Sequence, residues 1–309
     1  MLQYLNIILD DSSASYCHYE ERKIRRLIDI NDLKAGVLFS MMENLMVQFV
    51  YPKYQIPKDY LKVIESIDHF NIRNTAENAD VCIVENWDFS MANANVPIVV
   101  KSTKHQLFRM YQLLGRIITQ AKRINIVIKD IETFDDEDFE AYKQVLGFLS
   151  EQIEHEYLKG KSPQLNLLTD RMMLSQMNNC GAGETHITLA PNGKFYICPA
   201  FYYEDEACDV GDIERGLIIK NKQLYTISHS PICRHCDAWQ CWRCVWLNRK
   251  TTSEINTPSH EQCVIAHLER NASRNLLRNI RKHGIFLPEQ EDIKEIDYLD
   301  PFDKREEWL

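Results

Sequence analysis

No apolar run in this 309-residue chain reaches the roughly 20 residues that a bilayer-spanning helix needs. The N-terminus carries no basic stretch and meets Asp10 and Asp11 at once, so it reads as a first strand and not as an export signal. Positive charge is scarce. Lys and Arg number 36 against 45 Asp and Glu, a formal net charge of −9 with a pI near 5.6. That balance excludes a mainly electrostatic binder of nucleic acid or of an anionic membrane. There is no phosphate-binding loop, no His-Glu-x-x-His and no Ser-His-Asp order, and no internal repeat or low-complexity segment. What remains is an ordinary globular composition, 45% hydrophobic and 26% charged, with room for two domains.

Against these absences stands cysteine. Ten are present, and eight lie from residue 180 onward. Without an export signal the expected compartment is the reducing cytoplasm, where thiols serve metals or redox chemistry sooner than disulfides. Cys233-Arg-His-Cys236-Asp-Ala-Trp-Gln-Cys241-Trp-Arg-Cys244 holds four of them, with Cys180, Cys198 and Cys208 upstream and Cys263 downstream.

The first half alternates short apolar runs with amphipathic ones. Strands are expected at 5–9, 47–51, 80–84, 98–100, 125–129 and 164–168. Helices are expected at 32–43 (with Leu33, Val37, Leu38 and Met41 on one face), 57–67, 103–121 and from the acids at 135–138 toward Glu156. Five or six such units imply an α/β class, a parallel sheet or partial barrel, with sites near the strand ends at Asp10, Tyr51 and Glu85. Cys82, inside a strand, reads as a core thiol.

Near residue 170 the texture changes. Residues 187–189 and 194–197 read as a hairpin across Asn192-Gly193, delivering Cys198. Residues 259–282 read as a helix opened by a Ser259/Gln262 capping box. Cys263 falls in its first turn, where the dipole favours a thiolate. From Pro288 an acidic tail carries Tyr298, Phe302 and Trp308, a docking or partly ordered end.

Eight thiols match two four-iron clusters, each needing four thiolates. Two C-x2-C pairs alone also suit a zinc site, with His267 able to replace a thiol. Trp239, Trp242 and Trp246 are expected to shield the thiols, and Arg234, His235 and Arg243 either to donate to sulfur or to face solvent. Asp10, Asp11 and His18 at a strand end offer a weaker metal or acid–base site. Arg109, Arg116, Lys122 and Arg123, like Arg274, Arg278 and Arg281, form basic stripes that suit a solvated face or an acidic peptide.

Residues 176–285 resemble the SPASM domain, which carries auxiliary iron–sulfur clusters in radical S-adenosylmethionine peptide maturases. The matching residues are Cys180, Ile187-Thr-Leu-Ala-Pro-Asn-Gly193-Lys-Phe-Tyr-Ile-Cys198-Pro199, Val210-Gly211-Asp212-Ile213, Cys233–Cys244 and Cys263. The central cysteines are compressed relative to the family's C-x2-C-x5-C-x3-C. The resemblance implies one cluster on Cys180, Cys198 and Cys244, with Cys208 as candidate fourth ligand. It implies a second on Cys233, Cys236, Cys241 and Cys263.

The expected architecture is therefore a partial (β/α) barrel of the radical SAM type at 1–172, a small α+β SPASM-like domain at 173–285 and the acidic tail at 286–309. Such a barrel holds C-x3-C-x2-C after its first strand. Here only Cys17 remains, with Asp10 and Ala14 at the other two places, and Tyr51-Pro52 stands where a Gly-Gly-Glu turn belongs. The whole chain is similar to CXXX-repeat peptide maturases. The resemblance implies a maturation protein for a cysteine-repeat precursor peptide, with two [4Fe–4S] clusters, no S-adenosylmethionine and a possible partner enzyme. An active cluster-dependent enzyme and a zinc scaffold are the alternatives.

Overall fold

The computed structural model describes residues 2–177 and 179–303. Its first strand, β1 (Tyr4–Ile8), is followed by α1 (Ile30–Met42), β2 (Met46–Val50), α2 (Lys58–Ile64), β3 (His69–Arg73) and β4 (Val81–Val84). Next come β5 (Ile98–Ser102), α3 (Lys104–Ile118), β6 (Arg123–Ile128), α4 (Asp136–Leu158), β7 (Gln164–Leu165) and α5 (Thr169–Met173). The cysteine-rich part adds β8 (His186–Leu189), β9 (Phe195–Tyr196), α6 (Pro199–Glu204), β10 (Gly211–Asp212), β11 (Gly216–Leu217), α7 (Val245–Thr252) and α8 (His260–Arg281). Two compact units result, each assembled from two stretches: Met1–Val96 with Cys180–His229, and Pro97–Asn179 with Ser230–Leu309.

In the first unit β1 lies between β2 and β8, parallel to both, with β3 and β4 continuing the parallel series beyond β2. The hairpin partner β9 runs antiparallel to β8. Alternation along the strands sends Leu5, Ile7, Val47, Phe49, Ile187 and Leu189 into one apolar core. Each such buried side chain contributes roughly 1.5–3 kcal/mol.

Helix α1 meets that core through Leu33, Gly36, Val37 and Ser40. Leu38 and Met41, expected on the buried face, are instead 57% and 63% exposed. The reason is Gly36: a Cβ there would collide with Leu189 Cδ2, so the helix approaches the sheet on its glycine side.

The second unit has β5, β6 and β7 in parallel. Capping boxes at Thr103/Gln106 and Asp135/Asp138 open α3 and α4, satisfying backbone N–H groups that have no partner within the helix. Helix α4 packs on α3 and α8, burying Tyr142, Leu146, Leu149 and Ile153 among others. The acidic segment after Pro288 docks on α8: Glu295 accepts from Arg274, Asp292 from Arg281 at 2.5 Å, and Ile293 is buried. Trp308 lies outside the described residues.

Candidate functional site

The loop after β1 is closed by its own side chains. Asp10 Oδ1 accepts from the Ser12 backbone N–H at 2.8 Å and Oδ2 from the Tyr54 hydroxyl at 2.8 Å. Asp11 Oδ2 accepts from Arg22 and Arg26 at 3.2 Å each, and its Oδ1 from the Tyr202 hydroxyl. The same guanidiniums reach Glu206. Burial works to raise the Glu206 carboxyl, but the hydrogen bonds from Arg26 and Arg22 prevail and hold it at about 2. Both acids flagged as a weak metal or acid–base site are thus engaged by protein donors. Ala14 is fully buried, its N–H donating to the Tyr51 carbonyl at 3.0 Å and its carbonyl accepting from the Tyr19 hydroxyl at 2.8 Å. The Tyr51 ring in turn carries the Arg73 guanidinium at 3.5 Å.

Tyr16, from the same loop, reaches back along the sheet, and its hydroxyl accepts from Asn6 Nδ2 at 3.1 Å. Its phenol is pushed well up by burial and then by the charges of Cys17, Cys198 and Cys180. Those three thiols therefore share one neighbourhood, although the sequence set Cys17 apart from the other two. Cys198 is the N-cap of α6, and two rings of that helix hold the loop. Tyr203 stacks on Tyr19 at 4.6 Å and donates to the Asp11 carbonyl at 3.1 Å, while Tyr202 binds the Asp11 carboxylate. The turn that presents Cys198 closes at Gly193, whose φ of +73° is strained for any residue with a Cβ. Cys208 ends a short 3-10 turn in this unit.

The other five expected ligands belong to the second unit. Cys244 caps α7, accepting from the Leu247 N–H at 3.5 Å. Cys233, Cys236, Cys241 and Cys263 lie near one another in this unit. Burial pushes the Cys236 thiol up to about 11 and those of Cys233, Cys241 and Cys263 up as well. Cys241 feels the charges of Cys233 and Cys236, and Cys263 those of Asp300 and of the other three thiols. Burial raises the Cys263 thiol despite its place in the first turn of α8.

His267, one turn later on α8, places Nε2 3.7 Å from Cys236 Sγ. Arg243 is buried beside Cys233, whereas Arg234 and His235 are exposed. Trp242 is 39% exposed, so it does not shield the thiols as expected; Trp239 and Trp246 are half-buried. Of the first basic stripe, Arg109, Arg116 and Lys122 are exposed, while Arg123 forms a fork on Asp170 at 3.0 and 2.8 Å.

Two features had no signal in the sequence. Glu269 is buried with its carboxyl accepting from the Tyr142 hydroxyl at 2.7 Å and Gln240 Nε2 at 3.4 Å. Burial raises it to about 7 against those bonds. Arg171 and Arg270 both grip Asp237, the residue after Cys236.

Among the described residues no three His, Cys, Asp or Glu side chains close into a cage for a single metal ion. The four thiols lie instead within reach of one another's charge. As a donor set they suit iron–sulfur or zinc: soft sulfur ligands that stay protonated alone and lose the proton to a metal.

No protein-family model matches the chain, and no curated protein matches it in sequence. Solved structures do. Hexahistidine-tagged anSMEcpe with bound AdoMet matches with a TM-score of 0.62 at 12% identity, covering 91% of this chain and 100% of that one. Native anSMEcpe with bound AdoMet and Cp18Cys peptide gives 0.61 at 13% identity, with 91% and 99% covered. At that identity the likeness is one of fold: the chain is an α/β protein with the radical SAM partial-barrel arrangement, its sheet largely parallel.

Proposed function

We propose that this chain is a radical SAM-like maturation protein for a cysteine-repeat precursor peptide, one that binds iron–sulfur clusters but not S-adenosylmethionine. The observation that carries it is the convergence of Cys233, Cys236, Cys241 and Cys263 around one another's charge in a chain of this fold. These four would hold one cluster. The resemblance assigns Cys180, Cys198 and Cys244 to a second, with Cys208 as candidate fourth ligand. Bound clusters would supply electron transfer or an iron for a substrate thiolate. The peptide partner is supported by the fold match to anSMEcpe, whose structure holds a peptide.

The reading without S-adenosylmethionine is supported by the residues at the expected ligand places. Asp10 and Ala14, at two of the three ligand places, are buried and hydrogen-bonded to Tyr54 and to the Tyr51 carbonyl. Tyr51, in place of the glycine turn, packs under Arg73. A loop satisfied by its own contacts has no need of a cluster to order it.

The purified chain, mixed anaerobically with S-adenosylmethionine and reductant, should yield no 5′-deoxyadenosine while binding the cysteine-repeat peptide. Steady release of 5′-deoxyadenosine would overturn the accessory reading in favour of an active enzyme. Zinc is the second reading, and His267 favours it, because its Nε2 already faces Cys236.

A further inference from the structure

Asp237 follows Cys236 directly and is held by two arginines distant in sequence. Arg270 makes a two-pronged contact, Nε to Oδ1 at 3.0 Å and Nη2 to Oδ2 at 2.6 Å. Arg171 donates from Nε to the Asp237 carbonyl at 2.6 Å and reaches Oδ2 from Nη2 at 3.4 Å. The Arg171 guanidinium also lies 3.9 Å from the centre of the Trp239 ring. Neither arginine meets solvent appreciably: the Arg270 side chain is 0% exposed and that of Arg171 6%.

Guanidinium does not lose its proton in proteins. Two cations therefore share one carboxylate, and a positive charge is left over in a poorly solvated place. Burying such an excess is unfavourable unless an anion lies nearby to offset it. The thiol group adjoins it: Asp237 directly follows Cys236, and Arg270 lies three residues after His267 on α8, whose Nε2 is 3.7 Å from Cys236 Sγ. Four thiolates around zinc or around an iron–sulfur core remain net negative, and an iron–sulfur core becomes more so when it accepts an electron.

We propose that Arg171 and Arg270 form a buried cationic clamp on Asp237 whose surplus charge stabilises an anionic metal–thiolate group on Cys233, Cys236, Cys241 and Cys263. This rests on the metal-centre reading of those thiols. The arginines act as positioning and charge-setting residues, not as ligands. Arg270 and Arg171 fix the peptide that carries Cys236, and their charge favours the reduced over the oxidised state of an iron–sulfur group.

The test is a redox titration of the anaerobically reconstituted full chain with dithionite and mediators, read by visible absorption, with iron and sulfide counted in the same samples. Arg171→Gln should shift the oxidised-to-reduced ratio at fixed potential about tenfold toward oxidised, about 59 mV for one electron. Asp237→Asn should shift it by a similar factor toward reduced. Arg171→Lys should leave it near the wild-type value. Opposite signs for the two neutralising variants are what a charge effect requires; loosened packing alone would not reverse with the sign of the removed charge.

Should the wild type hold zinc, the same variants are read by chelator competition. Arg171→Gln should then lose zinc about tenfold more readily and Asp237→Asn retain it more tightly. Shifts of the same sign, or none, in protein with wild-type metal content overturn the clamp alone. A wild type that binds neither iron nor zinc overturns the metal-centre reading, and the clamp with it.

Discussion

His267 stands with Nε2 3.7 Å from the Cys236 sulfur and Nδ1 2.9 Å from the carbonyl oxygen of Cys263. A carbonyl only accepts, so the hydrogen-bond network assigns the ring proton to Nδ1. Burial lowers the ring's pKa, which leaves it neutral and Nε2 a bare acceptor aimed at a thiol. The ring thus links the Cys236 thiol to the backbone of the helix turn that carries Cys263. Replacing His267 with Ala should cost about 10- to 100-fold in metal retention, the usual scale for a residue that orients a ligand. Chelator competition on the metal-loaded protein measures this, and an unchanged value would reduce the ring to packing.

Glu269 supplies a pH-dependent test. Its folded pKa of about 7 lies above the ordinary value of 4.5. The folded protein therefore holds this proton more tightly than the unfolded chain does. That stabilisation is complete below the unfolded value and is lost as pH rises through about 7. Between about pH 5 and about pH 8 the wild type should lose up to about 3 kcal/mol relative to Glu269→Gln. Urea midpoints of the two proteins at both pH values check it; parallel pH dependences would contradict it.

The network on Asp11 is structural in this account. Tyr202→Phe removes the hydroxyl that donates to Asp11 and accepts from Arg22 at 3.2 Å and Arg26 at 3.1 Å. The expected loss is about 1–3 kcal/mol of stability, with peptide binding unchanged in the protein that remains folded. A selective loss of peptide binding at wild-type stability would give this network a functional role.

Gly193 tests the hairpin that presents Cys198. With φ at +73° and a hypothetical Cβ 2.7 Å from Asp32 Oδ2, Gly193→Ala should cost about 1–2 kcal/mol. Thermal melting reads it, and a neutral substitution would mean that the turn tolerates a side chain.

Much of the fold was legible because it follows from local pattern. Helix α8 announces itself by Ser259/Gln262, α4 by the acids at 135–138, and the hairpin by Asn192-Gly193. Strand β3 escaped because only Ile72 of its five residues is buried and Phe70 is 42% exposed, so no apolar alternation marks it. Helix α1 was rotated in expectation because hydrophobicity counts Leu38 and Met41 but gives no credit to Gly36 for letting Leu189 approach.

At the candidate site, spacing revealed the thiols but not their surroundings. Arg171 and Arg270 lie 66 and 33 residues from Asp237, and only the packing of α5 and α8 brings them to it. The last-helix stripe was read at Arg274, Arg278 and Arg281, while Arg270, one turn earlier and wholly buried, went unremarked. Likewise Cys17 looked like a remnant of a lost motif. The link to Cys180 and Cys198 arises only because Tyr16 folds back to Asn6 on β1, beside β8.

The central claim is that Cys233, Cys236, Cys241 and Cys263 hold an iron–sulfur group. Its most direct measure is iron and acid-labile sulfide per chain in anaerobically purified protein, compared with Cys241→Ser and Cys263→Ser. The wild type should carry equivalent iron and sulfide, with a matched loss of both in either variant. Stoichiometric zinc without sulfide, or iron and sulfide unchanged in both variants, would contradict it.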